Sequence, residues 1–140
     1  MQFFVYGRQA LEAARPHEVP HVIISITSGA DDVARLRKND QCRGVLRLSF
    51  PDAETPSDQF AEGELFSRSQ GVQVWNFVLR HRTFQRFVLH CDAGVSRSPA
   101  LAAAIARVLG FDDAEFFSGK YHPNMRVYRL LIDSAPRLAD

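Results

Sequence analysis

Apolar and polar residues follow two different periods along this chain, and the switches between them mark out strands and helices. Gln2 to Tyr6 and Val19 to Thr27 read as strands, the second apolar enough at Val22-Ile23-Ile24 to fit a buried place in a sheet. Arg43 to Phe50 alternates as a third strand, and Phe84 to His90 is an aromatic and aliphatic run that reads as a fourth. Between them the period becomes helical. Gln9 to Ala14 predicts a short helix ended before Pro16, and Asp31 or Asp32 predicts the cap of a helix through Lys38. Ser67 to His81 predicts a longer helix whose core face is Val74, Trp75, Val78 and Leu79. Leu101 to Leu109 is almost wholly apolar and alanine-rich, as a buried helix is, and Gly110 suits its stop. Asp112 with Glu115 predicts the capped start of a short helix closed by Gly119, and a last helix runs from about Asn124 to Ser134 with Met125, Tyr128, Leu131 and Ile132 inward. Pro51 to Glu64 is a polar loop. The expected fold is α/β, with a central, largely parallel sheet of about four to five strands flanked by helices and ligands at the strands' carboxyl ends.

The chemistry concentrates where the fourth strand meets the alanine-rich helix, in His90-Cys91-Asp92-Ala93-Gly94-Val95-Ser96-Arg97-Ser98-Pro99. Ser98 suits the N-cap of that helix, and Pro99 its first position, where a missing N–H is no loss. A helix start carries unpaired N–H groups and a partial positive charge, so it attracts an anion and eases the ionisation of a thiol beside it. Cys91 is then a candidate nucleophile, and Arg97 supplies a planar fork of donors that lysine cannot reproduce. Gly94 lets the backbone bend so that the amides of Asp92, Ala93, Gly94, Val95, Ser96 and Arg97 form an anion-binding nest. Ser98 is near enough in sequence to hydrogen-bond the sulfur. A cysteine at a strand end is more often a small buried hydrophobe, and a cysteine and an arginine with this spacing are a weak pattern by themselves. Here the glycine, the serine, the histidine and both flanking elements agree with the chemical reading.

These residues resemble the signature loop of the cysteine-based protein tyrosine phosphatases in their compact, bacterial, dual-specificity-like form. The resemblance implies thiolate attack on a phosphomonoester, a phosphocysteine intermediate and hydrolysis by water, with neither metal nor other cofactor. It also implies a phosphoprotein or phosphopeptide substrate: phosphotyrosine, with phosphoserine and phosphothreonine as further candidates. The departing oxygen needs a proton, and a carboxylic acid on a nearby loop is the usual donor. Asp52 follows the third strand directly and Asp58 lies deeper in the same loop, with Glu54 and Glu62 as weaker candidates. In similar compact bacterial proteins the acid comes just after this strand, which favours Asp52. Asn124, after Pro123, matches a residue that supports the phosphate loop in similar proteins, although Asn there is also a common N-cap. The chain has no long insertions of the kind strict tyrosine-specific members carry, which favours a shallow pocket.

Two residues of the loop call for separate readings. Adjacent strand residues face opposite ways, so His90 turns away from the side that Cys91 faces and braces the loop from behind. Asp92 places a carboxylate in an anion-binding loop, where it faces solvent or a substrate cation and disfavours polyanions. Lipid phosphatases with a similar loop carry lysines in it, and RNA 5′-phosphatases lie in basic surroundings; this loop has no lysine. Arsenate reduction needs further cysteines, and only Cys42 is present, near a strand start where it reads as structural. Tyr121 and His122 are candidates for the pocket rim. A phosphate-binding module that keeps the loop without turnover is the competing class.

Composition narrows the setting. A chain of 140 residues with 46% hydrophobic content fits one domain, 1–140, with one core. Seventeen basic and 16 acidic residues give a net charge of +1, so neither nucleic acid nor an anionic membrane is the expected partner. Met1 to Tyr6 is too short an apolar run for a signal peptide. Two cysteines argue against a disulfide framework and for a reducing, cytoplasmic compartment.

Overall fold

Parallel strands buried on both faces need apolar residues at successive positions, and the two most apolar strands take the two central places in the sheet. A computed structural model describes residues 1–137. Its strands are β1 (Gln2–Gly7), β2 (His21–Thr27), β3 (Cys42–Ser49) and β4 (Arg86–Cys91). They lie in the order β1-β4-β2-β3 with every neighbouring pair parallel. β2 is buried at every position and β4 from Phe87 onward, whereas the edge strands are mostly half-buried.

The helices are α1 (Arg8–Ala13), α2 (Arg68–Arg80), α3 (Arg97–Val108) and α4 (Met125–Asp133), with 3₁₀ turns at Glu62–Glu64 and Ala114–Phe117. Strand periodicity divides the core between the two faces. Val22, Ile24, Ile26, Phe87, Leu89 and Cys91 join the main core with α2, α3 and α4, while Ile23 and Val88 pack against Leu11 of α1 on the other face. α2 starts at a reciprocal cap, with Ser67 accepting from the Gln70 amide and the Gln70 side chain accepting from the Ser67 amide. It locks onto α4 through Trp75, whose Nε1 donates to the Leu131 carbonyl at 2.7 Å.

Several expectations need correction. No helix follows Asp31 or Asp32; residues 33–40 run without regular structure across the α1 face. Side chains of the sheet and of α1 claim that segment's backbone instead. The Arg35 amide donates to Glu12, the Ala34 carbonyl accepts from Arg47, the Val33 carbonyl accepts from Arg8, and Leu36 packs into the smaller cluster. α3 begins at Arg97, so Ser98 and Pro99 lie inside its first turn. Pro99 is tolerated there because the first amides of a helix have no intrahelical acceptor. Asp112 accepts from the Ala114 amide and opens a 3₁₀ turn rather than a capped α-helix. In α2, Phe77 is buried where Leu79 was expected and Leu79 is half-buried; in α4, Val127 and Leu131 carry the buried face, with Met125, Tyr128 and Ile132 at its margins.

Candidate active site

β4 delivers Cys91 to the carboxyl edge of the sheet, and a five-residue turn, Asp92 to Ser96, carries the chain into α3. That turn is shaped by its carbonyls. The Asp92 carbonyl accepts from the Arg8 amide at 3.0 Å, that of Val95 from the His122 amide at 2.8 Å, and that of Ser96 from the Asn124 and Ala100 amides. In a trans peptide the N–H points opposite to the C=O, so anchoring these carbonyls outward turns the next amides, Ala93, Ser96 and Arg97, inward. From Ala93 to Ser96 no amide donates to another group among the described residues. The result is a nest of free donors at a helix N-terminus.

Gly94 makes the turn possible twice over. Its φ is +71°, and a Cβ there would lie 2.5 Å from the Gly7 nitrogen and 2.6 Å from the Tyr6 carbonyl carbon. Backbone cannot yield as a side chain can, so the loop seats on the end of β1 only with glycine at this position.

Cys91 is 1% exposed, and its Sγ lies 3.1 Å from Ser98 Oγ and 3.5 Å from the Ser98 nitrogen. The serine expected as a cap thus turns to the sulfur, and Ser96, the residue at the N-cap, makes no capping bond. Its hydroxyl donates to Asp52 Oδ1 at 2.8 Å, and Asn124 Nδ2 donates to the same oxygen at 2.9 Å. Asn124 also caps α4 by accepting from the Val127 amide at 3.1 Å, so one side chain serves as helix cap and as a brace on Asp52. Glu54 ties the loop to α4 by accepting from the Met125 amide, and Glu62 pairs with Arg126. Asp58 is exposed and makes no hydrogen bond among the described residues. Asp52 therefore stands against the turn and Asp58 does not.

Arg97 is 4% exposed. Its Nη1 donates to Ser28 Oγ at 3.0 Å and to the Phe50 carbonyl at 2.9 Å, and its Nη2 donates to Asp92 Oδ2 at 3.0 Å. Its Nε is buried and has no partner among the described residues. Ser28 went unseen in the sequence because one hydroxyl among several is anonymous. The clue was its position directly after β2, at the same sheet edge as Cys91.

His90 has the parity of Val88 and lies behind the turn. Its Nδ1–H donates to the Cys91 carbonyl at 3.2 Å, which leaves Nε2 to accept from the Ser25 hydroxyl at 2.6 Å. Burial holds its pKa below the ordinary histidine value, with a smaller opposing effect from the bond to Cys91. Asp92 faces solvent with 49% of its side chain exposed while also pairing with Arg97. Cys42 opens β3 in register with His21, as does Arg86 on β4, so the length of β4, about 16 Å at roughly 3.3 Å per residue, separates its level from that of Cys91. No disulfide spans that gap without rebuilding the sheet. His122 anchors the turn through its amide, and Tyr121 packs on Phe116. Among the described residues no group of three or more His, Cys, Asp or Glu side chains is placed to hold a metal ion, and no helix is long and apolar enough to cross a membrane.

No family model and no curated protein matches the chain. Solved structures do match. Human DUSP28 is 15% identical with a TM-score of 0.57, covering 94% of this chain and 90% of its own. The Cydia pomonella PTP-2 phosphatase is 22% identical with a TM-score of 0.53, over 95% of this chain and 85% of its own. The chain has the fold of the cysteine-based protein tyrosine phosphatases. PTPMT1 in complex with PI(5)P is similar over 83% of this chain and 76% of its own, at 18% identity and a TM-score of 0.50. At these identities the likeness is one of fold.

Proposed function

We propose that the chain is a phosphomonoester hydrolase that works through a phosphocysteine intermediate. One observation carries this reading: the junction of β4 and α3 brings together a buried thiol with a hydroxyl on its sulfur and a buried arginine with an unpartnered N–H. In the first step the Cys91 thiolate attacks phosphorus, the S–P bond forms and the ester P–O bond breaks. The free amides and Arg97 hold the equatorial oxygens as charge shifts among them. Asp52 gives the proton to the departing oxygen. Its Oδ1 takes both hydrogen bonds from the protein, leaving Oδ2 to carry that proton. In the second step water attacks phosphorus, Asp52 takes its proton, and the sulfur leaves as a thiolate stabilised by Ser98.

The proposed substrates are phosphoproteins, with phosphotyrosine first. Asp92 puts a carboxylate in the turn and no lysine stands there, which favours a single phosphate on a peptide over a polyanionic lipid head or an RNA 5′ end. The test is hydrolysis of p-nitrophenyl phosphate, then of phosphotyrosine and phosphoserine peptides and of PI(5)P, with chelator and reductant present. Metal-independent turnover with peptides preferred is the expected result. Preference for PI(5)P would reassign the substrate, and phosphate binding without any turnover would make the site a reader of phosphate.

A further inference from the structure

The donors of Arg97 give a definite account of which edge is free. A guanidinium has five N–H bonds. Nη1 uses both of its hydrogens, on Ser28 Oγ and the Phe50 carbonyl. Ser28 Oγ in turn donates to Asp92 Oδ2 at 3.2 Å, the same oxygen that accepts from Nη2 at 3.0 Å. Two acceptors that lie side by side, one on Nη1 and one on Nη2, occupy the end of the fork. What remains is one hydrogen on Nη2 and the buried, unpartnered Nε–H, and these two lie along the side of the fork.

We infer that Ser28 and Asp92 form a clamp on the end of Arg97, presenting its Nε/Nη2 side to a phosphate that binds while the clamp stays closed. The proposal rests on the reading of the turn as a phosphate site and deepens it. Both are positioning residues, since they act through Arg97. The clamp explains why a carboxylate is tolerated in an anion cradle: it satisfies a nearly buried guanidinium that would otherwise keep only the Phe50 carbonyl, at the cost of repulsion toward the incoming anion. The opposite role, a plug that phosphate must displace, needs Asp92 on the side of the fork that Nε shares. The bridging Ser28 hydroxyl places it on the end.

The two roles predict opposite signs. The experiment titrates inorganic phosphate by its protection of Cys91 from iodoacetate, in the wild type and in Ser28→Ala, Ser28→Thr, Asp92→Asn and Asp92→Ala, with thermal unfolding followed for each. For a clamp, Ser28→Ala, which changes no charge, weakens phosphate binding about five- to tenfold, and Ser28→Thr restores it. Asp92→Asn keeps an oxygen acceptor and removes repulsion, so it binds phosphate about two- to tenfold more tightly than wild type. Asp92→Ala loses the acceptor as well and binds about tenfold less tightly than Asp92→Asn. Phosphate binding that is unchanged or tighter in Ser28→Ala, or equally tight in both Asp92 variants, overturns the clamp. A wild type that binds phosphate but hydrolyses no ester sinks the phosphatase reading while the variants still decide the clamp. A wild type whose Cys91 phosphate does not protect sinks both.

Discussion

β4 has an arginine at each end of its path, and the two are used in opposite ways. Arg86 opens the strand with its guanidinium over the Phe4 ring, 5.0 Å from the centroid, and its Nη1 donates to His17 Nδ1 at 3.0 Å. His17 is held from its other side by the Tyr6 hydroxyl, also at 3.0 Å. That cluster closes on itself. Arg97, just beyond the other end, is more deeply buried and keeps a donor open at a turn of free amides. A buried polar group without a partner costs stability, so an open donor beside a buried thiol points to a site and a mutually satisfied cluster points to structure.

The largest effects fall at the open end. Cys91→Ser lowers turnover at least about 10³-fold while phosphate still binds, because an alcohol is a far weaker nucleophile than a thiolate. Arg97→Lys lowers kcat/KM by about 10²–10³-fold, since a point charge cannot span two oxygens. Arg86→Lys at the closed end changes kcat/KM less than about twofold, and a loss there comparable to that of Arg97→Lys would erase the contrast. Asp52→Asn keeps the bonds to Ser96 and Asn124 but offers no proton. It costs about 10²-fold on a phosphoserine peptide and less on p-nitrophenyl phosphate, whose leaving group needs little protonation. If Asp58→Asn does this instead, the acid is misassigned.

Smaller effects appear in stability. Gly94→Ala forces a side chain against β1 at positive φ and costs about 2–4 kcal/mol by denaturant unfolding. The histidines sharpen the comparison through pH. Burial lowers the pKa of both His17 and His90, with His21 and Arg86 adding to the effect at His17. A depressed histidine pKa means the unfolded chain takes up the proton first, so the stability these groups contribute is full above the ordinary value near 6.5 and is lost as pH falls through their lower folded values. The unfolding midpoint should hold level above pH 7 and drop between about pH 6.5 and 5. His17→Gln, which can still bridge Tyr6 and Arg86, should shrink the drop. A midpoint flat across that range would mean that neither histidine is held neutral by the fold.

The contrast between the turn after β4 and the segment after β2 shows what sequence carries. Around Cys91 the local signals and the tertiary demands agree: an apolar strand, a glycine required by φ and by space, and an apolar helix. That agreement made the strand–turn–helix, the place of Asp52 beside it and the facing of His90 readable. After β2 the aspartates signal a helix cap, but Arg8, Glu12 and Arg47 take the backbone groups a helix would use, and these partners are distant in sequence. Ser98 was misplaced as a cap because α3 starts two residues earlier, with Ser96 at the N-cap, while its expected bond to the sulfur is present; Ser28 was missed because its contact with Arg97 exists only once β2 and β4 lie side by side.

Everything at the open end turns on whether Cys91 is the group phosphorylated during turnover. Mixing the protein with p-nitrophenyl phosphate under chelator and reductant, quenching in acid and mapping peptides by mass spectrometry tests it directly. A phosphocysteine route gives p-nitrophenol release together with phosphate on the peptide that contains Cys91, absent in Cys91→Ser. Release of p-nitrophenol with that peptide unmodified at every quench time, or undiminished turnover by Cys91→Ser, would contradict it.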